Sequence, residues 1–178
     1  MYKFHPRANI EKMSNGQPLN DADRWDWLIV LRRQALTTLA SHAASDPPPP
    51  PAKHLHPDPD SVPKGAPGVV ITCSALKAKY RDVIRVASYN SARVHVHFIY
   101  LQVTEEVSSK RVASRQNHYM KGNMVHSQFM DLEEPTEEEW DCITVDCTQS
   151  QAEVMESTLH QVKHAIQQVV SGIHSASN

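Results

Sequence analysis

Glycine is scarce in this chain, with five among 178 residues, at positions 16, 65, 68, 122 and 172. None is followed by Lys-Ser or Lys-Thr, so no Gly-x-x-x-x-Gly-Lys-[Ser/Thr] loop that cradles nucleotide phosphates can be drawn. Cysteine is limited to Cys73, Cys142 and Cys147, an odd number with no Cys-x-x-Cys pair. That usage predicts buried reduced thiols in a cytoplasmic protein rather than a disulfide framework or a zinc site. No basic block stands out and the formal net charge is -2, which argues against a nucleic-acid binder working through backbone electrostatics. No run of about 18 apolar residues exists to span a membrane, and the first residues lack the apolar region of a secretory signal.

What is there is a globular composition, 40% hydrophobic and 21% charged. At 20.0 kDa the expectation is a single domain over residues 1–178. Asn20 to Asp23 signals a helix start, and Trp25, Leu28, Ile29, Leu36, Leu39 and Ala40 recur at helical spacing, so a helix is predicted from Ala22 to about Ala44. Residues 45–67 break the pattern. They hold nine of the twelve prolines, including Pro47 to Pro51, and read as a solvent-exposed insertion inclined to polyproline II.

Residues 68–178 then alternate. "GVVITCSAL", "RVHVHFIYLQV" and "CITVDC" are β-branched, strand-like runs. Between and after them come "KAKYRDVIRVA" at helical period, a helix opened by Thr104, Glu105 and Glu106, and a last helix with Ser150 and Glu153 as its capping box. Strands alternating with helices predict the α/β class, a mostly parallel sheet flanked by helices. Ligands of such sheets bind outside the strands' carboxyl ends, which here carry "CSALK", "QVTEE" and "VDCTQ". Residues 111–134 are too long and polar for a plain connection and read as a lid. Arg111, Arg115, His118, Lys121 and His126 make it cationic, which suits a phosphate-rich ligand.

The opening stretch, "FHPRANIEKMSNGQPLNDADRWDWL", crowds His5, Arg7, Asn9, Lys12, Asn20, Asp21, Asp23 and Arg24 around two turns. By spacing alone, a capped helix entry with a solvated Arg24 accounts for it as well as a polar binding site does. Lys77 and Arg81 stand four apart, so they would share one helix face, as a solvated basic face or around an anion. His54, His56, His95 and His97 come in pairs without a third and fourth ligand in register, and no metal site is expected from them.

Taken together and in order, "HPRANIEKMSNGQPLNDADRWDWL", "CSALKAKYRDVIR", "RVASRQNHYMKGNMVHSQFMDLEEP" and "VDCTQSQAEV" resemble the gluconokinase family. These are P-loop kinases with a nucleoside-monophosphate-kinase-like core and a lid. The resemblance covers the chain outside the proline-rich insertion. It departs at the front: the family opens with a strand and a phosphate loop, and here only "MYKF" precedes His5, so the chain resembles a gluconokinase lacking its first strand and loop. In the family fold that strand is central, so its neighbours here would either expose edges or pair with each other.

The resemblance implies ATP-dependent phosphorylation of D-gluconate to 6-phosphogluconate, with gluconate and ATP as partners, Mg²⁺ brought by ATP and a possible homodimer. For the chain as it stands it implies impaired turnover. The alternative is a non-catalytic sugar-acid or protein-binding module. His5, Lys12, Asp21, Arg24, Ser74, Arg81 and His118 are implied as substrate contacts. Arg111 and Arg115 are implied on the phosphates, as catalytic and cofactor-binding groups, and Asp21 and Asp23 stand as fallback candidates for the catalytic base.

Overall fold

A computed structural model of the chain describes residues 4–45, 67–91, 93–114 and 122–175. Most of the proline-rich insertion, together with Arg115 and His118, lies outside the described residues.

The elements run α1 (Arg7–Ser14), α2 (Asp21–Ser45), α3 (Ala78–Tyr89), β1 (Phe98–Gln102), α4 (Glu105–Ala113), α5 (Gly122–Asp131), β2 (Cys142–Asp146) and α6 (Gln151–Ser175). β1 and β2 pair in parallel, with Phe98 opposite Cys142 and Gln102 opposite Asp146. Parallel neighbours need a crossover, and α4 and α5 supply it. α6 returns along β2.

The core forms where α2 meets α3. Trp27, Leu28 and Leu31 bury one stripe of α2, and Tyr80, Val83, Ile84 and Ala87 bury the facing stripe of α3. Ile71, Cys73, Leu76, Val96 and Phe98 close over this cluster. Arg32 Nη1 donates to the Val83 carbonyl at 2.6 Å and fastens the two helices. A smaller cluster of Met13, Leu19 and Met124 joins α1 to α5.

The expected caps form. Thr104 Oγ1 accepts from the Val107 N–H at 3.3 Å, and Ser150 and Glu153 bond reciprocally at the start of α6. One expected element does not form as expected. Residues 67–76, with the run Val69–Cys73, form no helix and belong to no ladder. Among the described residues no backbone N–H of this segment reaches a backbone acceptor. A strand needs a neighbour about 4.8 Å away. Here the sheet ends at β1, whose second edge has no ladder partner among the described residues.

Candidate active site

α1 and α2 meet at a turn that Gly16 makes possible, since its φ of 73° is a left-handed conformation that side-chain-bearing residues rarely adopt. Beyond the turn, Asn20 caps α2. Its Oδ1 accepts the Asp23 N–H at 2.9 Å, and Asp23 Oδ2 accepts the Asn20 N–H at 3.0 Å. Lys12 Nζ donates to both oxygens of Asp23, at 2.7 and 2.8 Å, and Asn9 Nδ2 donates to the Asp23 carbonyl at 2.8 Å. The Lys12 hydrogen bond holds the Asp23 carboxyl below its ordinary range.

One residue further, Arg24 is 4% exposed. Its Nη2 stands 3.7 Å from Asp131 Oδ2 and its guanidinium lies 5.7 Å from the Tyr80 ring centre. Asp131, at the end of α5, also takes an ion pair from Lys77 Nζ at 3.1 Å. Lys77 reaches Asp21 at 3.1 Å as well, and Asp21 accepts further short hydrogen bonds from Lys79 and the Tyr80 hydroxyl. These donors, Lys79 foremost, hold Asp21 ionised well below the usual carboxylate range. Asp131, then Asp21, keep Lys77 charged, and burial followed by the Asp21 bond pushes Tyr80 up to about 12.

The structure thus brings Lys12, Asp21, Asp23 and Arg24 to one mouth between α1, α2, α3 and α5. His5 joins it by stacking on Trp27, at 4.1 Å between ring centres. Burial lowers the His5 pKa, so the ring is held neutral. Ser74 is half-buried in the segment before α3.

Arg81 is placed differently. It is 3% exposed and pairs bidentately with Glu139 at 2.7 and 2.5 Å, while its Nη1 serves the carbonyls of Ala75, Leu76 and Glu133. Every nitrogen of its guanidinium is engaged within the protein. Arg111 stands at the carboxyl end of β2, where its Nη2 donates to the Cys147 carbonyl at 2.7 Å. Arg115 and His118 lie outside the described residues, so nothing further places them.

Asp131, Tyr80 and Trp27 were missed as site residues by sequence reasoning. All three sit inside the quoted motifs, yet no spacing rule links α2 to the end of α5.

Among the described residues, one set of possible metal ligands converges, Glu139, Asp141 and Cys142. It does not fit Mg²⁺. Arg81 and Arg85 already neutralise both carboxylates, the third ligand is a thiol, and the set lies at the amino end of the strands, where Phe98 donates to the Asp141 carbonyl.

No family model matches the chain. Curated relatives do. The chain is 44% identical over 142 residues to a probable gluconokinase of Schizosaccharomyces pombe, covering 80% of this chain and 62% of that protein. It is 35% identical over 160 residues to the thermoresistant gluconokinase of Escherichia coli, covering 90% and 75%. The chain spans about six tenths of the length of the two yeast gluconokinases it matches, 62% and 60%. Among solved structures, a gluconokinase from Sinorhizobium meliloti superposes with a TM-score of 0.64 at 27% identity, over 98% of this chain and 79% of that one. A sugar kinase from Janibacter superposes with a TM-score of 0.63 at 32% identity, over 88% and 73%. Helices around a small parallel sheet, the α1–α2 mouth and these relatives lead to one conclusion: the chain belongs to the gluconokinase family of P-loop kinases.

Proposed function

We propose that this chain serves ATP-dependent phosphorylation of D-gluconate at its terminal hydroxyl. The γ-phosphoryl passes from ATP to that oxygen, giving 6-phosphogluconate and ADP, and the hydroxyl proton is released. The observation that carries the reading is the buried Arg24, whose Nη1 has no hydrogen-bond partner among the described residues, in a mouth shared with Lys12, Lys77 and three carboxylates, Asp21, Asp23 and Asp131. Gluconate presents a carboxylate and a row of hydroxyls, and the mouth presents cations with mixed donors and acceptors. The relatives' names support the same substrate.

In this reading His5, Lys12, Asp21, Arg24 and Ser74 contact the acceptor, with His118 reaching it from the lid. Arg81, engaged as it is by Glu139, would have to yield one of its bonds to join them. Asp23 acts as proton acceptor only once Lys12 turns from it to the substrate, because a paired carboxylate is a weak base. Arg111 and Arg115 close on the phosphates. Mg²⁺ arrives with ATP and neutralises phosphate charge, held by few protein groups. A cytoplasmic location suits the three free thiols, of which burial raises Cys73 and Cys142 to about 11. A homodimer is the assembly proposed.

The absence of a phosphate loop favours a second feature of the reading, that the 178 residues alone bind ATP poorly and turn over slowly. If turnover is nil, the chain is a sugar-acid or protein-binding module. The test is thermal unfolding with gluconate and MgATP titrated separately, alongside an assay for ADP release. A ligand at a hundredfold excess over Kd stabilises by about 2.7 kcal/mol. A midpoint shift with gluconate, little with MgATP and slow ADP release is expected. No shift with gluconate would sink the acceptor reading.

A further inference from the structure

Among the described residues, three buried polar side-chain atoms have no hydrogen-bond partner: His5 Nδ1, Arg24 Nη1 and Trp27 Nε1. They belong to one patch. Arg24 and Trp27 are three residues apart on α2 and share its inward face, at 4% and 5% exposure. The His5 ring lies on the Trp27 indole with an interplanar angle of 16°. A buried donor left unpaired is costly, and Trp27 sits beside Leu28 and Leu31, where a phenylalanine ring would fill a core position without that cost. An indole N–H in such a place, on the same helix face as an unused guanidinium N–H one turn away, has its partner in a ligand.

We propose that Trp27 is a specificity-determining residue of the acceptor site, its indole N–H donating to an oxygen of the sugar acid alongside Arg24 and His5. The inference rests on the acceptor reading above and adds a residue to it. The chemistry of the three groups is complementary. Indole and guanidinium donate only, while imidazole Nδ1 donates or accepts according to tautomer. Two fixed donors suit carboxylate or hydroxyl lone pairs, and the adaptable nitrogen suits a hydroxyl, which both gives and takes. A cation or an apolar ligand would leave both donors unpaired. A site with buried donors discriminates sharply against an analogue that lacks the matching oxygen. The stacked His5 also fixes the plane from which the indole addresses the ligand.

The test is Trp27→Phe, which keeps an aromatic ring against His5 and removes the N–H. Gluconate affinity is expected to fall about tenfold or more, equivalent to roughly 1.4 kcal/mol. The unliganded variant should unfold at the same temperature or slightly higher, since an orphaned donor has gone. A second readout needs no core substitution. In ¹⁵N-labelled wild-type chain the Trp27 indole resonance is identified by eliminating the exposed Trp25 and Trp140 with W25F and W140F. It should move on gluconate titration. Unchanged affinity in W27F, or an indole resonance that stays still at saturating gluconate, overturns the proposal while leaving the acceptor reading intact. A wild-type chain that binds no gluconate overturns both, and is recognised by the missing wild-type response.

Discussion

Lys77 and Asp131 are 54 residues apart in sequence and 3.1 Å apart in space, joining the entrance of α3 to the end of α5. The same carboxylate faces Arg24. Asp131 therefore occupies the position that an anionic ligand would take between those two cations. Asp131→Asn should cost about 1–3 kcal/mol, because Asp131, though partly exposed, is the carboxylate that faces the buried Arg24. It should tighten gluconate binding a few-fold by removing a competing charge. Calorimetric titration of both proteins decides the matter, and weaker binding in D131N would mean that Asp131 itself holds substrate hydroxyls.

Acid sensitivity should centre on Glu139. Arg81, opposed by burial and aided by Arg85, holds its carboxyl at about 2 against an ordinary 4.5. The folded pKa is depressed, so the unfolded chain takes up this proton first as the pH falls. The stabilisation is complete above pH 4.5 and is lost between there and pH 2. Glu139→Gln should cost about 3 kcal/mol at neutral pH, since it leaves buried arginines underpaired. It should also flatten this acid limb. Urea melts at several pH values measure both effects, and an unchanged slope in E139Q would remove Glu139 as the cause.

The Arg81–Glu139 pair also shows where sequence reasoning reached its limit. Spacing places Lys77 and Arg81 on one helix face, but Lys77 is the extended N-cap, with φ −101° and ψ 150°, so helical spacing does not apply to it. The two side chains part, Lys77 towards Asp21 and Asp131, Arg81 towards Glu139. The long helices were legible because apolar period and caps are local. The helix predicted over Ala22 to about Ala44 is Asp21–Ser45, and the Ser150–Glu153 box opens α6 as expected. α1 was not legible, since eight polar-rich residues bury only Asn9 and Met13. The run Val69–Cys73 reads as a strand because β-branching reports pleat and burial, whereas a ladder requires a neighbour that composition does not reveal. His95 and His97 likewise precede the strand, which begins at Phe98.

The α2 cap is both a folding and a binding element, and the two roles separate by substitution. Asp23→Asn keeps a side-chain oxygen for the Asn20 N–H but loses the charge that anchors Lys12. Asp23→Ala loses both and should cost about 1–2 kcal/mol. Denaturant midpoints should therefore rank wild type, then D23N, then D23A. If D23A is as stable as wild type, the reciprocal cap contributes nothing.

The second edge of β1, which has no ladder partner among the described residues, carries the last expectation. Leu101 is 54% exposed and Ile99 39%, and Val70, in the segment that joins no ladder, is 93% exposed. Unpaired backbone groups beside exposed apolar side chains invite pairing with another copy of the chain. The isolated chain should therefore self-associate as its concentration rises. Leu101→Lys places a charge on that edge without touching the Arg24 mouth, and should shift the population towards monomer with gluconate affinity preserved. Light scattering coupled to size exclusion, run across a concentration series, reads the outcome. Association that persists unchanged in L101K and in Val70→Lys would show that the copies meet through another surface, and that these edges are not what joins them.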